Sequence, residues 1–348
     1  MIDRLVPDVN VLLDGQKLDK GILNKLITGK VSYSLEKSDM FQLTFNDTEF
    51  KIQNKNIFDL GKTVMIELGY NGEFFKMLEG EIVQIKPTYA SGSPTTLTII
   101  GFDKMFRLSR TRHSRSFKHV TDSDIASDIA SELGLDSNID YTSQEFDYIF
   151  QNNQSNLNFL KQRARRIDYE VEVEENQLIF KKARHEERRE SVKLIWDRNL
   201  MEFNPTIDAT KVVSEVEVTG WNRKEKQLIR GIARAGDEKK SIKGDSGAKK
   251  VKGQFKNLNS KVFKVDIALN TQEEADNIAK SRLNQINMEY LTGYGLAVGE
   301  PEIMAGRMIE IMGLGDIVNG EYYVVSCEHI FSIKGYKTYF DVKRSVYN

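Results

Sequence analysis

Gly61-Lys62-Thr63-Val64-Met65-Ile66 and Gly306-Arg307-Met308-Ile309-Glu310-Ile311 open one pattern that this chain writes twice. Gly72-Glu73-Phe74-Phe75 is answered by Gly320-Glu321-Tyr322-Tyr323, and Ile82-Val83-Gln84-Ile85-Lys86 by Ile330-Phe331-Ser332-Ile333-Lys334. Each copy closes on a strand-like run, Thr96-Leu97-Thr98-Ile99-Ile100 in the first and Tyr336-Lys337-Thr338-Tyr339-Phe340 in the second. A self-similar period sets the architecture before any local reading does. Two related β-modules in one chain let three chains present six similar units around an axis.

Working outward, residues 1–108 read as the first β-module. Val64, Ile66 and Leu68 alternate with polar or flexible neighbours, the period of a half-buried strand. Asn71-Gly72 predicts a hairpin because both residues tolerate positive φ. The pattern changes after Arg107, and residues 109–204 read as an α+β region. Thr121 with Asp124 suits a helix N-terminus, Ile125, Ile129 and Leu133 share one face, and Gly134 is placed to end the helix. A second helix begins near Ser155, with Leu157, Leu160, Ala164 and Ile167 on one side and Lys161, Arg163, Arg165 and Arg166 on the other. Glu170 to Phe180 reads as a hairpin around Glu175-Asn176. Residues 205–348 form the second β-module, with a helix over about 271–291 capped by Thr271 and Glu274. Within it, about 237–254 is Lys- and Gly-rich and reads as a mobile loop. The fold class is therefore α+β and β-dominated: two related antiparallel β-barrel-like tube domains with an α+β domain between them.

The 348 residues suffice for two or three domains, and 40% apolar with 29% charged residues is ordinary globular composition. A net charge of −1 gives no global pull toward nucleic acid or membrane. No run approaches the roughly 18 apolar residues of a membrane span, so no membrane insertion is expected. Cys327 is the single cysteine, which excludes an intrachain disulfide framework and reads as a small buried apolar residue.

Chemistry-bearing motifs are scarce. The histidines are His113, His119, His185 and His329, none at a zinc-ligand spacing. His329 alternates with apolar neighbours and reads as structural. Gly313-Leu314-Gly315 precedes a strand-forming segment, not the helix that a dinucleotide loop needs. Glu170, Glu172, Glu174 and Glu175 read as the solvated face of a strand and its turn. No catalytic, cofactor-binding or metal-binding residues are assigned, no cofactor is expected, and the chain is not read as an enzyme. Two basic segments remain: Arg107, Arg110, Arg112, Arg115 and Lys118, and the lysines at 239, 240, 243, 249, 250, 252 and 256. Both read as solvated or subunit-facing, with Arg107, Arg110, Arg112 and Arg115 the candidate polyanion contact.

A longer stretch carries a family likeness. Leu291-Thr292-Gly293-Tyr294-Gly295 is followed by Gly299-Glu300-Pro301-Glu302-Ile303-Met304-Ala305-Gly306-Arg307-Met308, then Asn319 to Val325, His329 and Gly335-Tyr336-Lys337-Thr338. With Ser155-Asn156-Leu157-Asn158-Phe159-Leu160, Asp168-Tyr169-Glu170-Val171 and the opening Pro7-Asp8-Val9-Asn10-Val11, this resembles the late-control D family of contractile-phage tail hubs and the N-terminal half of VgrG spikes. The resemblance implies a structural baseplate hub of a phage tail, tailocin or injection system. Such hubs are homotrimers whose pseudo-sixfold ring adapts the hexameric inner tube to a trimeric spike. The implied partners are the chain itself, an inner-tube or tube-initiator protein, the spike and a tape-measure protein. The implied location is the baseplate of the particle, after synthesis in the bacterial cytoplasm. VgrG proteins continue into a β-helical needle and this sequence stops at Asn348, so the spike is expected as a separate polypeptide. Val64, Ile66, Leu68, Ile309 and Ile311, taken as edge-strand positions, are the candidate subunit or tube contacts. The alternatives are a cell-wall hydrolase of the same apparatus and a nucleic-acid-contacting tail protein.

Overall fold

The structure is a computed structural model that describes residues 6–183, 191–222, 225–238, 242, 244–255, 260–265, 269 and 271–347. The first module holds β1 (Pro7–Leu13), β2 (Gln16–Lys17), β3 (Leu26–Ser34), β4 (Met40–Asn46), β5 (Thr63–Tyr70), β6 (Glu73–Thr88) and β7 (Thr96–Phe102), with short helices α1 (Lys20–Leu23) and α2 (Lys51–Asn54). Asn71 and Gly72 both take positive φ, 52° and 85°, and Tyr70 pairs with Glu73. Two positive φ angles are what a two-residue hairpin matching the strand twist requires. Strand β6 is long because it serves two neighbours: Glu73–Glu81 pairs with β5, and Glu81–Thr88 with β7.

The middle region holds α3 (Met105–Arg110), β8 (Arg112–Val120), α4 (Asp122–Glu132), β9 (Asp136–Ile139), β10 (Phe146–Ser155), α5 (Asn156–Arg166), β11 (Tyr169–Glu174) and β12 (Gln177–Lys182). The second module follows with β13 (Val192–Ile195), β14 (Leu200–Ile207), β15 (Glu215–Asn222), β16 (Gln227–Arg234), β17 (Asp245–Ser246), α6 (Gly247–Gln254), β18 (Lys261–Val265), α7 (Gln272–Asn287), β19 (Leu291–Val298), β20 (Met308–Met312), β21 (Gly320–Ser332), β22 (Gly335–Arg344) and β23 (Val346–Tyr347). Its sheet thus begins at Val192, inside the stretch that the sequence assigns to the α+β region. The loop expected over about 237–254 contains α6, whose N-cap Ser246 accepts a hydrogen bond from the Lys249 amide.

The repeat is visible strand by strand. The first module runs in the order β3-β4-β7-β6-β5-β1, and the second in the order β14-β19-β22-β21-β20-β13. Taken in sequence, the same strand positions recur in both. Gly61 at φ 84° donates to the Ile82 carbonyl while Ile82 donates to that of Lys62. Gly306 at φ 77° donates to Val324, and Val324 to Arg307, all four bonds being 2.9 Å. Bulges recur as well, at Ile82/Gln84 and Val324/Ser326, and at Leu26/Thr28 and Leu200/Glu202. These landmarks equate Ile82 with Val324, not with Ile330. The second copy is shorter between its glycine and its bulge, and Ile333-Lys334 fall in the turn before β22 rather than in a strand. One difference is local: β1 lies antiparallel to β5, whereas β13 is parallel to β20.

The modules join where β3 pairs with β21, from Ser34↔Ser326 to Thr28↔Ser332, making one 13-stranded sheet. Among the described residues no pairing closes either module; the strand path is open and β-dominated, with helices beside it. One hydrophobic core runs through both modules, and size is traded between strands within it. Phe41 lies against Gly101 and Leu43 against Gly29 in the first module. At the equivalent positions of the second, Gly293 lies against Phe203 and Gly295 lies under the Phe340 ring.

Two further cores brace this sheet. One unites α4, α5, β10, β11 and β12, and the other packs α7 on β15 and β16. The basic side chains of α5 are each engaged, Lys161 and Arg163 in buried positions and Arg165 at the surface. Lys161 donates to the Leu35 carbonyl at 2.7 Å, Arg163 pairs with Asp122, Arg165 with Glu36, and Arg166 with Glu274 at 2.8 Å. Helix α5 therefore ties α4, the first module and α7 together. Adding a methyl at Gly295 places it 2.2 Å from the Phe340 ring. We expect Gly295→Ala to destabilise the fold by about 1–3 kcal/mol through overpacking, read by urea unfolding.

Candidate assembly interface

The most chemistry-like cluster is buried in the second module. His329 is fully buried, and its Nε2 lies 2.9 Å from the Ile303 carbonyl. A carbonyl only accepts, so Nε2 carries the proton and Nδ1 accepts from the Tyr336 hydroxyl at 2.8 Å. The Cys327 thiol donates to the same Ile303 carbonyl at 3.1 Å and lies 3.6 Å from Nε2. Burial pushes the thiol far above its ordinary range and His329 down to about 4. A neutral imidazole and a thiol held protonated do not make a nucleophile. The cluster instead pins the segment before β20 onto β21 and β22, and Tyr33 of β3 meets His329 edge-on at 5.7 Å. Sequence alternation identifies His329 as structural, and the geometry agrees.

A second cluster sits where the first module meets β11. A cavity of about 300 Å³ is lined by Tyr33, Asp39, Met77, Asp103, Glu172 and Arg307. Asp39 accepts from the Ser34 amide at 3.1 Å, while neither carboxyl oxygen of the buried Asp103 makes a well-formed hydrogen bond. Burial first, then the Asp39 charge, holds Asp103 well above the carboxylate range; burial also raises Asp39. Sequence reading missed both, because an isolated Asp in a turn carries no signature. The carboxylates of β11 also differ from the expected solvated face: Glu170 accepts from the Tyr323 hydroxyl, and Glu172 is half-buried beside Gly306. Among the described residues no group of three or more His, Cys, Asp or Glu side chains is placed to hold a metal ion. No helix there is long and apolar enough to cross a membrane.

The candidate contact residues need correction. Val64, Ile66, Leu68, Ile309 and Ile311 are buried in the chain's own core. Strand β5 has β1 and β6 as neighbours, and β20 has β13 and β21, so neither is an edge. The free edges lie elsewhere. Among the described residues β14 pairs along its length with β19, with one further bridge from Leu200 to Trp196, and Met201, Glu202 and Asn204–Ile207 are exposed. The last part of β6, Gln84–Thr88, pairs with β7 on one side and, among the described residues, has no strand on the other. A proline marks each, Pro205 and Pro87, and proline within a sheet belongs on an edge. That was the sequence signal available for finding them.

Residues 5–332 match the family described as the Alg8 N-terminal domain. The chain belongs to the Alg8 N-terminal domain family. No curated protein sequence matches it. Its fold is similar to the 43 kDa tail protein of prophage MuSo2 from Shewanella oneidensis, at 14% identity and a TM-score of 0.71, covering 98% of this chain and 99% of that one. It is also similar to a tail protein from Neisseria meningitidis MC58, at 13% identity and a TM-score of 0.71, covering 97% and 96%. A third similar structure is the E. coli c3393 protein, at 12% identity and a TM-score of 0.62, covering 96% of this chain and 76% of that one. Its description makes it a component of the type VI secretion system with structural similarity to the T4 tail proteins gp27 and gp5. At these identities the likeness is one of fold.

In this member of the Alg8 N-terminal domain family the four candidate arginines have different partners. Arg107 engages Glu81, and Arg115 engages Glu132, Gln151 and Asn156 while lying over the Phe117 ring. Arg112 donates to the Asn153 carbonyl at 3.0 Å, and Arg110 is exposed. Carboxylates answer the charges of Arg107 and Arg115, which leaves those two less for a polyanion. His113 is half-buried and His119 lies 3.7 Å from Glu145. His185 and the lysines at 239, 240, 243 and 256 lie outside the described residues; Lys249, Lys250 and Lys252 stand on α6.

The buried imidazole gives a pH prediction. An unfolded chain protonates His329 near its ordinary value of 6.5, the folded chain only near 4. Between those values the unfolded state binds more protons, so this contribution to stability is lost as pH falls from about 6.5 to 4 and then levels off. Asp39 works in the opposite sense, its raised value favouring the fold as pH falls below about 7, so the variant must be compared with the parent at each pH. Between pH 7 and 4.5 the parent should lose about 2–3 kcal/mol relative to His329→Gln in denaturant titrations. Parallel pH profiles for the two proteins contradict the assignment.

Proposed function

We propose that this chain is a structural hub of a contractile tail or injection-system baseplate, of the late-control D type. In this reading it assembles as a homotrimer whose six modules form a pseudo-sixfold ring. The ring matches a hexameric inner tube on one side and a trimeric spike on the other. One observation carries the reading: the same strand order, glycine turn and two bulges occur in both modules of one chain. A threefold object built from such chains presents near-equivalent sites at sixfold positions, which is what a symmetry adaptor needs. The fold likeness to tail proteins supports the same reading. So does the character of the buried Cys327–His329 cluster, which holds the fold together and offers no reactive group. The partners are then further copies of the chain, the tube or its initiator, the spike and a tape-measure protein, and the site of action is the assembled baseplate.

A second reading, contact with a polyanion in the particle, has one observation in its favour. Tyr148 and Phe150 are exposed and stacked at 6.5 Å on β10, and Lys118 pairs opposite Tyr148. An aromatic platform beside a cation suits single-stranded nucleic acid.

Light scattering on the purified protein at high micromolar concentration, with and without its spike protein, tests the hub. A mass of three chains is expected, and a monomer under both conditions removes the proposal. Fluorescence anisotropy with single-stranded DNA tests the second reading: binding that weakens steeply with salt and is lost in Tyr148→Ala supports it. Absent or salt-independent binding rejects it.

A further inference from the structure

The internal seam contains instructions for a second one. Within the chain, β3 of the first module pairs with the later part of β21 of the second. The repeat makes β14 the counterpart of β3, and the later part of β6 the counterpart of that part of β21. Among the described residues both counterparts lack the partner that the seam supplies. Their exposure follows: Lys30–Tyr33 of β3 are buried or half-buried, and the equivalent Asn204–Ile207 of β14 are exposed. Ser326–Ile330 of β21 are buried or half-buried, whereas among the equivalent Gln84–Thr88 of β6 all but Ile85 are exposed.

We infer that β14 of one copy pairs antiparallel with Gln84–Thr88 of β6 in the next, repeating the β3–β21 seam between chains. The inference rests on the hub reading and gives it an interface. The occupant is a second copy of this chain because the two halves of the seam are already present, one at each end of the molecule. An interface made from two different patches is heterologous and closes into a ring when the rotation allows.

The landmarks fix the register. In the seam Cys327 faces Tyr33, Glu328 faces Ser32, and His329 faces Val31. Carried across by the shared bulges, these become Ile85 opposite Ile207, Lys86 opposite Thr206, and Pro87 opposite Pro205. Ile207 is 46% exposed in the isolated chain, and it takes the place of Tyr33, which the seam buries. Pairing therefore covers Ile85 and Ile207 together on the core side of the sheet. No like charges meet, since Lys86 stands opposite Thr206 with Gln84 and Thr88 beside it. The seam's hydrogen bond from the Leu35 amide to the Val325 carbonyl makes Ser34↔Ser326 a non-hydrogen-bonded pair. Alternation then makes Lys86↔Thr206 non-hydrogen-bonded and puts Pro87↔Pro205 where two N–H donors would stand. Neither proline has one, so the ladder between chains is interrupted at its centre and is weaker than the internal seam. The same prolines keep each edge from pairing with arbitrary strands.

A disulfide trap reads the register. Antiparallel non-hydrogen-bonded partners have Cα atoms about 4.5 Å apart, inside the range that a disulfide spans. Lys86 and Thr206 are both exposed, and the native Cys327 is buried. The double variant Lys86→Cys/Thr206→Cys, oxidised with diamide, should run on non-reducing gels as covalent dimers and trimers. Lys86→Cys/Glu202→Cys, four residues out of register, should cross-link at least tenfold less. A trimer by light scattering without the in-register cross-link, or with equal cross-linking of both variants, overturns this interface and leaves the hub reading standing. A chain that stays monomeric and uncross-linked at high micromolar concentration overturns both.

Discussion

The pairing of β3 with β21 is the constraint on which the rest of this molecule depends. It joins the first module to the second by backbone hydrogen bonds, makes their two sheets one, and lets a single core run beneath both. Side chains reinforce it from either end. Tyr33 meets His329 across the seam, Lys30 pairs with Glu328, and Tyr70 at the far end of β5 donates to the Gly299 carbonyl at 2.8 Å. The relative orientation of the modules is thereby a property of the fold, not of a linker. A fixed rotation from one module to the next is the prerequisite for any ring built from repeated copies.

The buried polar groups make sense in the same terms. His329, Tyr336, Thr338 and the Ile303 carbonyl form a satisfied network, and fully paired buried polar groups specify one arrangement of strands. Arg344 does comparable work at the end of β22, where it is fully buried, donates to the Ile317 and Asn319 carbonyls at 2.7 and 2.9 Å, and lies over the Tyr322 ring. Helix α5 links the middle region to the first module through Lys161 and Arg165 and to α7 through Arg166. These groups resemble catalytic equipment by residue type, yet their protons are held in place by structure.

Much of the fold is legible in the sequence, and the illegible parts have physical reasons. Periodicity and turn chemistry identify β5, the Asn71-Gly72 hairpin, the Thr121–Asp124 capping box and the Glu175-Asn176 turn, because each depends on a few neighbouring residues. The repeat is legible from β5 to β7 and from β20 to β22. It is hidden in β3, β4, β14 and β19, where Phe41 and Leu43 correspond to Gly293 and Gly295 and the bulk moves to other strands. Rings from neighbouring strands, Phe203 and Phe340, stand where those side chains are missing, so residue identity does not repeat. Edge positions are hidden for a related reason: alternation shows that Val64 and Ile309 line a strand, and it is silent about how many neighbours that strand has. Pro87 and Pro205 carry that information, since each lacks the N–H that an uninterrupted ladder to a second neighbour within the sheet would use.

The central claim is that two copies of one module, set by one internal seam, build a ring by repeating that seam between chains. Electron cryomicroscopy of the purified assembly, reconstructed without imposed symmetry, addresses it directly. The account predicts three chains in a closed ring, six modules at near-sixfold positions, and strand pairing that continues from module to module around the whole circumference. A ring whose chains meet through the middle regions, with β14 and the end of β6 left facing solvent, contradicts it.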